Sequence, residues 1–490
     1  MTEPLWTSDA AVAATGGALV GAGWTAHGVS IDTRSLEPGD LFIALEGPNN
    51  DGHNFLDAAF EAGAAAALVH KDYGGEGPVL RVDDTLRGLE ALAGAARERC
   101  AGRRLAVTGS AGKTGTKELM RLAFEGEGET HASVASFNNH WGVPLTLARM
   151  PAHTDYGLFE LGMNHAGEIR TLSGIVRPQA AIITTIAAAH LEFFDGLDAI
   201  ARAKAEIFEP MAAGGLAVVH ADLDQTRILI DVAEDHGLTV RCFGRSDTAD
   251  CKLVSYVPTA EGAMVQADVF GRVFTYRLAV AGEHWALNSL AVLTLVAGLG
   301  LDPVAAAGRL ANLRPPKGRG ERSLLALRSG DVLLIDESYN ANPESMVAAL
   351  KVLSAAPVGP EGRRIAVLGD MLELGEEAES LHAGLVDAIE REGADEVWLC
   401  GPMMQALWSV LPDRLRGEWH PAAADLGPRL APTLRPGDAV MVKGSNGSRT
   451  FDIVSYLQNA GPNLQDMGPD TGPDTGKGAA GAGAGSGGSA

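Results

Sequence analysis

Basic charge is scarce in this chain of 490 residues: 39 Lys and Arg stand against 62 Asp and Glu, a formal net charge of −23. A nucleic-acid coat and a polybasic membrane skirt both need a positive field, so neither partner is expected. Anionic small molecules remain open, because they need only a local cluster of donors. Cysteine is also sparse. Cys100, Cys242, Cys251 and Cys400 form no Cys-x-x-Cys pair and no zinc spacing, which fits a reducing compartment. Long apolar runs are missing too. The longest, Leu290 to Leu301, is broken by Thr294 and two glycines and falls short of the roughly 20 residues of a membrane span. The start carries Glu3 and Asp9 and no basic-then-apolar leader. A soluble, cytoplasmic, monomeric protein without membrane insertion is the expectation.

With 46% hydrophobic and 21% charged residues the chain can bury ample core, and at roughly 150 residues per domain its length suggests about three domains. Apolar strands alternate with helical patterns, which predicts α/β architecture with parallel sheets. We divide the chain at 1–100, 101–313 and 314–460. The first block has strands at Val29–Ile31, Leu41–Leu45 and Ala66–Val69 and a helix at Phe55–Ala62. The second opens on the strand Leu105–Thr108 and contains a small antiparallel insert over 252–281, where Val265 to Phe270 and Val273 to Leu278 alternate. The third, Rossmann-like, has strands at Val332–Ile335, Ile365–Leu368, Glu396–Leu399 and Ala439–Val442. From Gly461 to Ala490 there are ten Gly, three Pro and a doubled Gly-Pro-Asp-Thr unit, so 461–490 is expected to be a disordered tail.

The sharpest motif is Thr108-Gly-Ser-Ala-Gly-Lys-Thr-Gly-Thr116, set between an apolar strand and a predicted helix, Lys117–Phe124. Glycines let backbone N–H groups approach phosphate oxygens, the helix N-terminus adds its dipole, Lys113 neutralises charge and Thr114 can ligate Mg2+. Only two residues separate Gly109 from Gly112, against four in the common phosphate loop. A magnesium-nucleotide site also needs ligands at neighbouring strand ends. Glu160 ends the run Tyr156-Gly-Leu-Phe-Glu, and a solvent-facing strand-end acid is the competing reading. His190 follows the strand Ala181–Thr185, where a satisfied loop histidine is the plainer reading. Lys204 shares a helical stripe with Leu197, Ile200 and Ile207; it must snorkel, pair or lose its charge. Asp336-Glu-Ser-Tyr-Asn-Ala-Asn-Pro343 offers acids and amides beyond a strand, and Lys443-Gly-Ser-Asn-Gly-Ser-Arg449 either grips an anion or is a solvated turn.

In this order the pieces resemble the Mur ligase family, from about Gly28 to Tyr456. Ser30-Ile-Asp-Thr-Arg-Ser-Leu-Glu-Pro-Gly-Asp-Leu-Phe-Ile-Ala-Leu-Glu-Gly47 and Asp51-Gly-His-Asn-Phe55 are similar to its UDP-muramoyl-binding domain, which implies substrate contacts at Ser30, Thr33 and Arg34. Gly109, Ser110, Ala111, Gly112, Lys113, Thr114 and Gly115 match its own short phosphate loop. Ser136-Phe-Asn-Asn-His-Trp-Gly142 resembles its substrate-approaching segment and implies roles for Asn138 and Asn139, although His140 and Trp141 replace the usual acid and β-branched residue. The resemblance further implies that Thr114 and Glu160 hold one Mg2+, and that His190 and an N-carboxylated Lys204 hold a second. Asn288 would meet adenine, Arg322 (less so Arg319) would reach the phosphates, and Asp336–Glu337 would bind ribose. Tyr339, Asn340 and Asn342, with Leu368-Gly-Asp-Met-Leu-Glu-Leu-Gly375, are similar to the branch that joins D-alanyl-D-alanine to UDP-N-acetylmuramoyl-tripeptide with ATP. A folylpolyglutamate-type ligase would lack the Ser30–Gly47 block. A non-catalytic phosphate-loop nucleotide switch would hydrolyse ATP slowly without either substrate.

Overall fold

The computed structural model describes residues 3–134, 136–259 and 261–460; the expected disordered tail, 461–490, lies outside the described residues. Runs such as Leu105–Val107, Ala180–Ile183 and Val218–Val219 are fully buried. Apolar side chains on both faces of a strand demand cover on both faces, which is the arrangement of a parallel sheet sandwiched by helices.

Among the described residues the central sheet has nine strands. Thr130–Ala132, Tyr156–Glu160, Arg103–Thr108, Ala180–Ile183, Leu216–His220, Thr239–Gly244 and Cys251–Thr259 lie side by side in that order, all parallel. The antiparallel strands expected over 252–281 are present, and they continue the edge of this sheet. Gly262–Val269 pairs with Cys251–Thr259, and Arg272–Leu278 pairs with Gly262–Val269. The reason is a shared apolar layer: Cys251, Leu253, Val265, Ala267 and Tyr276 pack into the same cluster as Leu119, Leu290 and Leu293 of two covering helices. One of those helices, Glu283–Gly298, is buried over most of its length. None of the helices among the described residues is long and apolar enough to cross a membrane.

From Arg103–Thr108 the chain first builds outward on one side, through Tyr156–Glu160, and then crosses to the other with Ala180–Ile183. This reversal opens a crevice at the carboxyl ends of the strands, where α/β sheets take ligands.

The C-terminal sheet runs Glu321–Leu327, Gly330–Glu337, Ala439–Lys443, Arg364–Gly369, Glu396–Cys400 and Arg416–His420, with only the first strand antiparallel. The helix Pro343–Ser354 starts on a capping box in which Asn342 accepts from the Ser345 N–H and Ser345 answers to the cap backbone.

The N-terminal sheet is Ala18–Val20, Val79–Arg81, Ala66–Val69, Asp40–Ile43 and Gly28–Ser30, and its first strand alone is antiparallel. The strand Trp6–Thr7 and helix Ser8–Thr15 precede it, elements that the sequence reading passed over. This unit shares a core with the central one. Leu145 and Ala148 of the helix Gly142–Ala148 join the cluster of Leu41, Leu68 and Leu89. Trp6 Nε1 donates to the Ala148 carbonyl at 2.9 Å, and Arg149 Nε donates to the Val29 carbonyl at 2.5 Å.

Candidate active site

A cavity of about 580 Å³ lies between the central and C-terminal sheets, lined by Ser110–Lys113, Glu160, His190 and Asn288 from one side and Arg319, Glu337, Tyr339–Asn342 and Glu373 from the other. Its floor is the phosphate loop. The helix begins at Lys113, four residues earlier than its apolar pattern alone suggested, so Lys113 and Thr114 form its first turn. Gly112 stands just before it at φ +81, and a Cβ there would lie 2.7 Å from Asn288 Nδ2. Gly109, at φ +151, passes so close to Thr184 that a Cβ would fall 1.9 Å from its hydroxyl. Both positions combine a left-handed or extended-positive backbone with close approach, and only glycine satisfies both.

Lys113 Nζ donates to the Gly109 carbonyl at 2.7 Å, folding the side chain back over the loop. Desolvation pushes its pKa down to about 8, with Glu160 opposing and Arg319 adding to the shift. Glu160 is 1% exposed at the end of its strand, which excludes the solvent-facing reading. Its Oε1 accepts from Thr114 Oγ1 at 3.1 Å and Asn138 Nδ2 at 2.7 Å, and the Thr114 and Ser136 hydroxyls meet at 3.0 Å. Oε2 is buried with no partner among the described residues. A buried carboxylate oxygen left unpaired is costly, and hard oxygen donors gathered around it beside a phosphate loop fit a magnesium ion.

Lys204 is 1% exposed on the helix Leu197–Ala205 and does not line the cavity, with Ile200 and Ile207 fully buried along its stripe. Burial first, and then the charge of Lys113, drive its pKa well below the ordinary value. Snorkelling is therefore ruled out. His190 feels the charges of both lysines; burial lowers its pKa and Glu373, whose carboxylate meets Nδ1, works against that. Burial disfavours the Lys204 ammonium and the His190 imidazole feels its charge, so the two would suit a second cation once the amine is carboxylated.

Across the cleft, Arg319 stacks on the Tyr339 ring at 4.0 Å. Glu337 and Lys443 form a buried pair at 3.9 Å, and Lys443 donates to the Asn340 carbonyl at 2.9 Å. Burial raises the Glu337 pKa and lowers that of Lys443, each partner opposing the other's shift. His284 is held neutral, its pKa pushed down to about 4 by burial and by the Lys443 charge.

Several expected residues stand elsewhere. Arg322 lines a separate surface depression with Leu324 and Asp331, and Arg319 takes the cleft. Period-2 alternation along Glu321–Leu327 sends Arg322 to the same face as Leu324, whereas Arg319 precedes the strand on the turn that borders the cavity. Asp336 is buried and accepts from the Ser338 N–H and hydroxyl, so Glu337 alone of the pair lines the cleft. Asn139 spends its side-chain oxygen on the N–H groups of Trp141 and Gly142 at the start of a helix. Asn342 lines the cleft while its oxygen caps the next helix. Ser30, Thr33 and Arg34 lie outside this cavity; Ser30 Oγ donates to the Asp32 carbonyl, and the exposed Arg34 pairs with Asp32.

The sequence matches the Mur ligase middle domain over residues 107–296, the Mur ligase glutamate ligase domain over 321–446 and the Mur ligase family catalytic domain over 25–96. The chain belongs to the Mur ligase family. A UDP-N-acetylmuramoyl-tripeptide–D-alanyl-D-alanine ligase of Escherichia coli is 35% identical over 447 residues, covering 91% of this chain and 96% of the relative. The enzyme of the same name from Rickettsia prowazekii is 32% identical, with 88% and 95% covered. A crystal structure of MurF from Acinetobacter baumannii superposes with a TM-score of 0.81 at 30% identity, covering 93% of this chain and 99% of that one. A folylpolyglutamate synthase of Mycobacterium tuberculosis shares the fold at 17% identity and a TM-score of 0.57.

In this Mur ligase, the cleft residues that the sequence reading gave no role include His220, His284, Trp285 and Glu373. Three of them sat in segments already singled out for a neighbour, Asn288 or the Leu368–Gly375 motif. His220 ends the strand Leu216–His220 and had no local signal.

Proposed function

We infer that this Mur ligase joins D-alanyl-D-alanine to UDP-N-acetylmuramoyl-tripeptide at the expense of ATP. It is an ATP-dependent ligase that forms an amide bond in peptidoglycan precursor synthesis. The observation that carries the dipeptide assignment is where two segments stand: Tyr339–Asn342 and the 372–373 part of Leu368–Gly375 line the cleft facing Lys113. These are the segments whose sequence resembles the D-alanyl-D-alanine-adding branch.

The chemistry follows from the donors present. The terminal carboxylate of the UDP-muramoyl peptide attacks the γ-phosphorus of ATP, the bond to ADP breaks, and an acyl phosphate forms. The amine of the dipeptide attacks the acyl carbon, loses a proton and expels phosphate. Phosphoryl transfer of this kind is governed by positioning and charge neutralisation, so a protein nucleophile is not required. Lys113 and the loop N–H groups take the phosphates, Arg319 brings a second positive charge from the facing body, and Asn288 with neutral His284 borders the nucleotide. Glu160, Thr114, Asn138 and Ser136 would hold one Mg2+, and His190 with an N-carboxylated Lys204 the other; bound there, such ions neutralise phosphate charge. Ser30, Thr33 and Arg34, outside the cleft on the N-terminal unit, would serve the UDP end. On this reading 1–100, 101–313 and 314–460 divide the labour as UDP, ATP and dipeptide domains.

The test is ADP release measured with each substrate withheld in turn. Release that requires both UDP-muramoyl-tripeptide and D-alanyl-D-alanine is expected. Equal release with a single free amino acid in place of the dipeptide would overturn the assignment, and slow release needing neither substrate would point to a nucleotide switch.

A further inference from the structure

The Leu368–Gly375 segment enters the cleft at Glu373, a residue that the chemistry above leaves without a task. Its backbone is unusual. Glu373 sits at φ +63 and His190 opposite at φ +60, both non-glycine residues in the left-handed region. That region is avoided by residues with a Cβ and persists where the surroundings hold it. Here the two hold each other. The Glu373 carboxylate meets His190 Nδ1, and the Glu373 carbonyl accepts from the Glu192 N–H at 3.3 Å. Gly375, at φ +61, lets the segment lie against the 190–193 loop: a Cβ there would come within 3.2 Å of Glu192 Cα.

The partners are 183 residues apart and lie on loops that follow strands of different sheets. The N-terminal and central units share an apolar core, whereas this meeting of the central and C-terminal units is a polar contact between two loop tips. With Nδ1 engaged by a carboxylate, Nε2 is the ring nitrogen left for a ligand. An imidazole whose second nitrogen is held by a carboxylate has its tautomer and orientation set, and this is how histidine ligands are commonly braced.

We propose that Glu373 is a positioning residue that braces His190 across the domain boundary, so that the C-terminal unit completes the phosphate site only when it is closed on the central one. The proposal rests on the ligase reading above and deepens it. The bland alternative is a half-exposed ion pair, with side chains 20% and 41% accessible, of a kind that contributes little to stability and nothing to turnover.

The experiment compares the full-length protein with Glu373→Ala and Glu373→Gln. Steady-state kinetics give kcat and the KM for ATP. Mn2+ binding in the presence of a non-hydrolysable ATP analogue is followed by electron paramagnetic resonance. Small-angle X-ray scattering with and without the analogue reports closure, and melting temperature controls for folding. In Glu373→Ala, kcat and the affinity for the weaker Mn2+ should each fall about 10- to 100-fold, with the KM for ATP within about twofold of the parent. Compaction on adding the analogue should shrink while the melting temperature stays near that of the parent. Glu373→Gln should recover part of both losses, because its amide oxygen still accepts from an Nδ1–H. Parent-like kcat and Mn2+ binding in Glu373→Ala would overturn the proposal. So would a fall in kcat with Mn2+ binding and compaction unchanged. The Mn2+ and scattering measurements need no peptide substrate, so failure of the ligase reading would show separately, as a parent protein inactive with both substrates.

Discussion

Replacing Glu160 by Gln should leave the protein folded, slightly less stable and nearly inactive, and the loss of its response to Mg2+ is the sharpest consequence of the site's geometry. Glu160 Oε1 accepts two hydrogen bonds, from Thr114 and Asn138, and Gln keeps an oxygen in that place. The amide nitrogen then takes the place of Oε2, a buried position with no partner among the described residues, and an unsatisfied buried donor costs about 1–3 kcal/mol. The buried Lys113 also loses the attraction of the Glu160 carboxylate, which acts in the same direction. For a unit the size of the central one each kcal/mol is roughly 2–4 °C in melting temperature, read by calorimetry in chelator-treated buffer. Turnover should fall by at least about 100-fold, because the group that would anchor Mg2+ beside the phosphate loop has lost its charge. Added Mg2+ with an ATP analogue should raise the melting temperature of the parent and leave the variant almost unmoved. A variant that turns over normally, or one that Mg2+ and the analogue stabilise as they do the parent, would refute the reasoning, since either result makes Glu160 an ordinary structural acceptor.

Four further outcomes are expected. Lys113→Ala should abolish product formation with an unchanged circular dichroism spectrum. In the parent, kcat/KM for ATP should hold below pH 8 and decline as pH rises through about 8, because the free enzyme's Lys113 loses its proton there; a flat profile to pH 10 would count against its cationic role. Arg319→Ala should cost about 10-fold or more in kcat/KM, whereas Arg322→Ala should stay within about threefold; the reverse order in the same assay would restore Arg322 to the site. Lys204→Ala should lose most activity and regain part of it with acetate or formate, which can fill the oxygen-ligand position of a carbamate; full activity without added acid would show the lysine to be dispensable.

Much of this molecule was legible one segment at a time. The phosphate loop announced itself because its glycines, lysine and threonine are contiguous and stand between an apolar strand and a helix. Glu160 was found for the same reason, as the last residue of a strand. The inward stripe of Lys204 followed from helical spacing alone, since Ile200 and Ile207 are fixed relative to it by the turn of one helix. Where a side chain's direction is set by its own element, periodicity suffices.

The rest depended on which segments meet. Arg319 and Arg322 are three residues apart and carry the same charge. Only the placement of the strand Glu321–Leu327 against Gly330–Glu337 decides that the turn residue borders the cleft and the strand residue does not. The 251–278 strands show their alternation in sequence, yet their role as the edge of the central sheet comes from an apolar layer shared with a helix further along the chain. Asn139 and Asp336 have the residue types of a binding site and are consumed by local hydrogen bonds. The contact between His190 and Glu373 is carried by no periodicity at all: it joins two loop tips 183 residues apart. Local hydrogen bonding and alternation set each element and the face it presents, and burial of apolar layers chooses the neighbours, so the cleft's own constellation exists only once those layers have packed.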